Sequence, residues 1–426
     1  MIYFNNGGEN MDEKNLEEVK VENEITNKRN FFKDEFKLIE VVIVSLITIV
    51  IGIIVGYAVT IRFSLSDNEK LVQNDENLQE FINTYEDVVS KYYEDVDKRE
   101  LINSAISGML SNLDDPYSVY MDSDTTSDFN DRLYGDYAGI GAEVSMTIDG
   151  KIIIYNPFED SPAQKAGLKK GDIIVKINGE DMTGKTSSDA SQLIKGVVGT
   201  KVLITIERDG KQQNIEVTRE HIVLDSVTYK VFAKSNKKIG YINISIFAAN
   251  SYSQFRKAVL DLEQQKVDSI IIDVRNNSGG YLDSVTDMLG MFLKKDKVIY
   301  QLDEKGKLTS IKDETKESKN IKVGVLINEY SASASEILAS ALLESYGAEI
   351  IGVNSYGKGT VQQTKELSTG GMLKYTTQKW LTPKGNWINK KGVTPTIEEK
   401  LNEKYYETGK EEDDNQLQKA IEILSK

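Results

Sequence analysis

Residues 321–364 read IKVGVLINEYSASASEILASALLESYGAEIIGVNSYGKGTVQQT. The first part, 323–328, is apolar and β-branched and closes on Asn328, the pattern of a short buried strand. A run of small residues follows at 331–335, then an amphipathic helix. Ile337, Leu338, Ala341, Leu342 and Tyr346 fall on one face, Glu336 sits in the first turn, and Gly347 stops the helix. A second apolar strand at 350–353 leads into Tyr356, Gly357, Lys358, Gly359 and Thr360. Strand, serine turn, helix, strand and a lysine between two glycines can bring a serine close to a lysine.

That pairing has a chemical use. A serine hydroxyl is a poor nucleophile unless a neighbour takes its proton, and the base must be unprotonated near neutral pH. Lysine normally titrates near 10.4, so it serves only where burial lowers that value. Gly357 and Gly359 would let the backbone pass close to the serine turn. A serine ahead of a helix also lies beside free N–H groups that can hold an oxyanion. The other reading is that Ser331, Ser333 and Ser335 cap the helix and Lys358 is solvated. The spacing alone leaves both open.

The SASASE and GKGTVQQ phrases at this separation resemble the carboxyl-terminal processing (tail-specific) serine peptidases, and the resemblance runs from about residue 78 to 397. It implies a Ser-Lys dyad with Ser333 as nucleophile, Lys358 as general base and Gln362 orienting the lysine amine. It implies oxyanion donors at the N–H of Ala334 and of a glycine in the Gly279–Gly280 motif. Ser331 and Ser335 are left as packing or capping groups. Ser278 stands where the family usually has proline or glycine, but both glycines remain.

Composition bounds the chemistry. With 426 residues, two or three domains are expected, and 39% hydrophobic residues supply real cores. A formal net charge of −15 argues against nucleic acid as a partner, since such binders carry a basic stripe. Zero cysteines exclude disulfides and thiolate chemistry, and the single histidine, His221, cannot build a histidine-rich metal cluster. His221 could serve a Ser-His-Asp triad, but no G-x-S-x-G accompanies it. No P-loop is present, and neither metal nor cofactor is expected.

Read in order, the chain is expected to be multidomain α+β. Residues 1–40 are charged and polar, a disordered cytoplasmic tail. Residues 41–61 form an uncharged apolar run long enough for one transmembrane helix. Lys28, Arg29, Lys33 and Lys37 precede it against Arg62 and Lys70 after it, which puts the N-terminus inside and the bulk of the chain outside the cytoplasm. Residues 77–135 read as an N-terminal helical arm whose aromatic stripe suits packing or a homodimer surface; its phrase GMLSNLDDPYSVYM resembles the arm of the same peptidases.

Residues 136–221 resemble a β-barrel-like PDZ domain. Gly139, Ile140 and Gly141 stand in its carboxylate-binding loop, and 161–174 match its core. The resemblance implies protein or peptide substrates with free C-termini. Lys195 stands where relatives often have arginine, whose bidentate hydrogen bonding a lysine lacks. Residues 222–400 alternate strand and helix signals, an α/β pattern for which the resemblance implies a protease core of crotonase/ClpP-like type, and 401–426 carry a possible helix that could dock on this chain or on a second copy.

The expected function is a membrane-anchored, extracytoplasmic serine endopeptidase whose PDZ domain recognises substrate C-termini. The domain order suggests that the PDZ domain gates the active site. The alternatives are a catalytically silent PDZ scaffold, against which Ser333, Lys358 and Gln362 argue, and a crotonase-like acyl-CoA enzyme, against which the PDZ domain and membrane span argue.

Overall fold

The computed structural model describes residues 75–426 and, ahead of them, Val50 and Gly52. The expected tail at 1–40 and, those two residues apart, the expected span at 41–61 lie outside the described residues. Among the described residues, no helix is long and apolar enough to cross a membrane. The chain divides into two compact units, Met1–Val96 and Asp97–Lys426.

The first unit holds helix α1 (Glu76–Lys91), capped by Asp75, whose carboxylate accepts from the N–H groups of Asn77 and Leu78. The second unit opens with α2 (Lys98–Ser111), β1 (Val119–Met121) and α3 (Ser123–Tyr134). The region read as one helical arm is therefore three helices and a strand, divided between the units.

The PDZ region follows as β2 (Asp136–Gly139), β3 (Ala142–Met146), β4 (Ile152–Pro157), α4 (Pro162–Lys165), β5 (Ile173–Ile177), β6 (Glu180–Asp181), α5 (Ser187–Ile194), β7 (Lys201–Arg208), β8 (Lys211–Thr218) and β9 (Glu220–Val223). Strands β3-β4-β5-β7-β8 form one sheet with β6 on β5, while β2 and β9 pair separately. Val202, Ile204 and Ile206 alternate inward along β7 and meet Ile154, Ile177 and Ala190 of α5 in one core.

The protease region contains β10 (Val227–Lys234), β11 (Lys237–Ile244), α6 (Ser251–Gln264), β12 (Ser269–Asp273), α7 (Leu282–Gly290), β13 (Val298–Glu304), β14 (Lys307–Lys312), β15 (Lys322–Ile327), α8 (Ala334–Ala341), a π-helical turn (Leu342–Tyr346), β16 (Glu349–Gly352), β17 (Thr360–Glu366), β18 (Met372–Leu381), β19 (Ile397–Glu398), α9 (Glu403–Thr408) and α10 (Asn415–Leu424). The main sheet runs β10-β11-β12-β15-β16-β19, parallel except for the β10–β11 pair. All five residues of β12 are buried, as expected for a strand covered on both faces.

Ile270 and Ile272 face the core shared with α6, α7 and α8, which holds Phe255, Val259, Val285 and Leu338. Ile271 faces the opposite side with Leu326 and Ile351, against Leu417, Ala420, Ile421 and Leu424. The C-terminal helix thus docks on the sheet of its own chain. A second sheet, β1-β18-β13-β14 with β17 on β18, brings the strand of the helical arm against the protease region.

Candidate active site

The serine turn joins β15 to α8. Ser333 has φ +55° and ψ −113°, a conformation that L-residues rarely adopt, so the turn is strained at this one residue. Its neighbours hold it there. Ser331 Oγ donates to the Val274 carbonyl at 2.8 Å, Ser335 Oγ to the Asn277 carbonyl at 2.7 Å, and the Ala332 N–H to the same Asn277 carbonyl at 3.1 Å. Ser331 and Ser335 are both buried, and their hydroxyls tie the turn to the segment after β12.

That segment carries Gly279 and Gly280, with φ +106° and +141°. A Cβ on Gly279 would lie 2.8 Å from Ser333 Cβ, and one on Gly280 would lie 2.1 Å from the Phe247 carbonyl oxygen. Both positions need glycine, the first because the serine itself occupies the space. The Gly279 N–H is already bonded to Asn277 Oδ1 at 2.9 Å. Those of Gly280 and Ala334 have no acceptor among the described residues.

Lys358 sits between β16 and β17. Trp380 Nε1 donates to its carbonyl at 2.7 Å, and Trp387 Nε1 to that of Gly359 at 2.8 Å. Trp380 is fully buried, whereas Trp387 is exposed, so only the first also fills the core. The flanking glycines serve a different approach from the one the sequence suggested. A Cβ on Gly357 would meet the backbone nitrogens of Lys390, Lys391 and Gly392, and one on Gly359 would meet Trp387 and Asn389. The 387–392 turn is what requires glycine there, while the same backbone also runs beside the serine turn, where the Tyr356 N–H donates to the Ser331 carbonyl at 3.0 Å.

The connection to the serine turn is Glu336, which is fully buried. One carboxylate oxygen accepts from the N–H groups of Ser333 and Lys358 at 2.8 and 2.9 Å. The other accepts from the Gly357 N–H at 2.7 Å and Ser355 Oγ at 2.6 Å. Burial pushes this carboxyl upward, while the four hydrogen bonds favour its ionised form.

Ser333 and Lys358 line one cleft of about 480 Å³ with Ser278, Gly279, Gly280, Ala334 and Gln362. The structure thus gathers every residue assigned to the catalytic centre. In this conformation no hydrogen bond joins Lys358 Nζ to Ser333 or Gln362. The ammonium lies over the ring of Tyr117, 4.4 Å from its centroid, and Gln362 Nε2 donates to Thr360 and Thr376 Oγ1, both at 3.0 Å. Burial, and then the nearby cation of Lys374, bring Lys358 down to about 8, against Asp115 and Glu336, which push upward. Burial is the main reason Tyr117 is pushed up to about 12.

Sequence reading missed Tyr117, Lys374 and the role of Glu336. Glu336 and Tyr117 had nearby signals, their places in the SASASE and GMLSNLDDPYSVYM phrases, and Lys374 had none. His221 lies away from the cleft and pairs with Asp136 at 2.9 Å.

In the PDZ region, Gly141 has φ +71°, and a Cβ there would lie 2.6 Å from Ser161 Cβ. The Ala163 N–H donates to the Ile140 carbonyl and the Phe158 N–H to that of Gly141, which fixes the loop read as carboxylate-binding. Gly139 pairs with Glu220 across β2–β9. Lys195, at the end of α5, forms ion pairs with Asp128 at 2.6 Å and Asp131 at 2.5 Å on α3. Phe129, Arg132 and Leu133 of the same helix line the cleft that holds Ser333 and Lys358.

Comparison with known proteins agrees with this architecture. A family described as peptidase family S41 matches residues 238–399, a PDZ domain matches 138–218, and the activating protease CtpB N-terminal domain matches 58–125. The chain is 44% identical over 328 residues to the carboxy-terminal processing protease CtpB of Bacillus subtilis (strain 168), covering 76% of this chain and 68% of that one. It is 36% identical over 360 residues to a probable CtpA-like serine protease of Staphylococcus aureus (strain COL), covering 82% and 71%. A solved photosystem II D1 C-terminal processing protease aligns at 25% identity with a TM-score of 0.47, covering 82% of this chain and 92% of that one. This chain belongs to the S41 family of serine peptidases and carries a PDZ domain within it.

Proposed function

We propose that the chain hydrolyses protein substrates with a Ser333–Lys358 dyad. The neutral Lys358 amine takes the Ser333 hydroxyl proton as Oγ attacks the scissile carbonyl, then delivers it to the leaving amine. The acyl-enzyme left on Ser333 is released by water, activated through the same amine. The tetrahedral oxyanion would be held by the N–H of Ala334 and one of the Gly279–Gly280 pair, Gly280 being the uncommitted one. Lys358 must swing from Tyr117 toward Ser333, and Gln362 must turn toward the amine if it is to orient it. The observation that carries the reading is the shared cleft, in which burial lowers the lysine pKa to about 8 and Glu336 bridges the two backbones.

The PDZ region would bind substrate C-termini at Gly139, Ile140 and Gly141. The Lys195 ion pairs to α3 supply a physical link by which such binding could bias the cleft between two states. The apolar run at 41–61 with its basic N-terminal flank supports a single membrane anchor, an internal N-terminus and an extracytoplasmic peptidase.

The experiment is digestion of unfolded casein by the full chain beside Ser333→Ala and Lys358→Ala. Cleavage by the parent and loss in both variants supports the dyad. Activity surviving Ser333→Ala sinks it. If the parent is silent, peptides with free C-termini should release activity under the gating reading, and continued silence favours the scaffold reading. Fractionation with membranes, lost when 41–61 is replaced by a soluble linker, tests the anchor.

A further inference from the structure

A second lysine shares the catalytic cleft. Lys374 lies on β18, opposite Thr364 of β17 and Val119 of β1, so strands on both sides fix its backbone. Its side chain points into the cleft lined by Ser333 and Lys358, with Nζ 5.2 Å from the centroid of the Phe129 ring. Among the described residues no carboxylate forms an ion pair with it. Burial lowers the pKa of Lys374 as well, and the aromatic face offsets part of that cost to the cation. An anion would also have neutralised its field at Lys358, whereas a ring leaves that field intact.

The charged and titratable groups facing Lys358 come from several elements. Tyr117 and Asp115 approach from the turn between α2 and β1, Glu336 from α8 and Lys374 from β18, while Tyr356, from the turn after β16, faces Tyr117. Arg132 of α3 and Asp283 of α7 line the same cleft farther along. Asp115 and Glu336 favour a charged Lys358, the wrong form for a general base. Lys374 opposes them, and two ammonium groups in one desolvated cleft each make the other easier to deprotonate.

We propose that Lys374 is a positioning residue of the peptidase, the second cation of the cleft, which keeps Lys358 in the neutral form that general-base catalysis needs. This rests on the Ser333–Lys358 reading. The lowered value at Lys358, in which Lys374 is the main contributor after burial, is consistent with it.

The test is the pH profile of kcat/KM for the full chain, Lys374→Met and Lys374→Arg. Methionine keeps the length and removes the charge, whereas arginine keeps the charge. The Met variant should show its acid limb at higher pH, with a several-fold loss near neutrality that disappears on the alkaline plateau, and Arg should restore the parent profile. A loss in Lys374→Met that is equal at all pH values, or a profile that overlays the parent's, overturns the proposal. Lys358→Ala is the control: retained turnover there sinks the dyad reading and this proposal together, whereas abolished turnover with coincident Lys374 profiles sinks this proposal alone. Where turnover is too slow to measure, NMR titration of isotope-labelled lysine Nζ in the full chain reads the same quantity. The Lys358 midpoint should rise in Lys374→Met, and an unchanged midpoint refutes the idea.

Discussion

The backbone N–H groups of Ser333 and Lys358 meet on a single oxygen of Glu336, at 2.8 and 2.9 Å. The two loops are 25 residues apart in sequence, 358 minus 333, yet this carboxylate fixes their separation from inside the core. Glu336→Gln keeps the size but replaces one oxygen with an NH₂ that must face two N–H or O–H donors. The clash should lower stability by about 1–3 kcal/mol. Misplacing serine against lysine should reduce kcat/KM by more than about tenfold. Thermal unfolding and turnover of the variant check both, and parental turnover would show that the carboxylate does not set the geometry.

The pH dependence follows from the value of about 8 at Lys358. On the proposed dyad a protonated Lys358 cannot accept the serine proton, so activity should be absent well below that value and full above it. At pH 7 about a tenth of the enzyme carries the neutral amine. Thus kcat/KM should climb steeply from pH 6 to 8 and then level off. An acid limb near 10 would mean the lysine is solvated in the working enzyme. The stability consequence has the opposite origin: a lysine whose folded pKa is lowered from 10.5 holds fewer protons folded than unfolded. It detracts from stability below about 8 and less as pH rises toward 10.5, so Lys358→Met should raise Tm near neutrality, with the gain shrinking at high pH.

What the sequence made legible was local. The β15–α8–β16 unit, the PDZ strands and the glycine pair after β12 all leave marks within a few residues. The reading of α8 as amphipathic failed because all eight of its residues are buried, and alanine and serine there blur any polar stripe. Glu336 looked like an ordinary first-turn acid, since nothing in sequence shows that four donors from two loops converge on it. Tyr117 lies 241 residues before Lys358, 358 minus 117, and meets it only because β1 joins β18. The C-terminal helix was visible as a stripe, but the surface it covers was not, because alternate residues of β12 belong to opposite cores.

The docking of that helix gives a stability prediction. Arg275 bonds Asp273 and reaches Asp414 with two nitrogens, at 3.0 and 2.8 Å, and its side chain is only 10% exposed. Its flanking carboxylates hold the guanidinium pKa above its usual range. Arg275→Ala would leave Asp273 and Asp414 buried without a counter-charge, a loss of about 3–5 kcal/mol. Leu424→Ala, at the far end of the same helix and facing Gly324, should cost about 2–4 kcal/mol through the cavity alone. Denaturant midpoints of the two variants check this. A negligible change in Leu424→Ala would mean that α10 is not docked in solution.

The two glycines separate folding from catalysis. A Cβ on Gly280 would stand 2.1 Å from a backbone oxygen, Phe247 O, in the bridge that joins this segment to the end of β11. Neither atom can turn away, so Gly280→Ala should destabilise the chain by about 2 kcal/mol or more and lower its Tm. A Cβ on Gly279 would meet Ser333 Cβ at 2.8 Å and the Ala332 carbonyl at 2.9 Å, both on a turn already strained at Ser333. The turn can yield, but only by moving Ser333, the proposed nucleophile. Gly279→Ala should therefore lose kcat by more than about a hundredfold through misplacement of the attacking oxygen, with a smaller loss of Tm than Gly280→Ala. Labelling of Ser333 by a fluorophosphonate, measured beside Tm, distinguishes the cases. Normal labelling in Gly279→Ala would show that the serine keeps its place without the glycine.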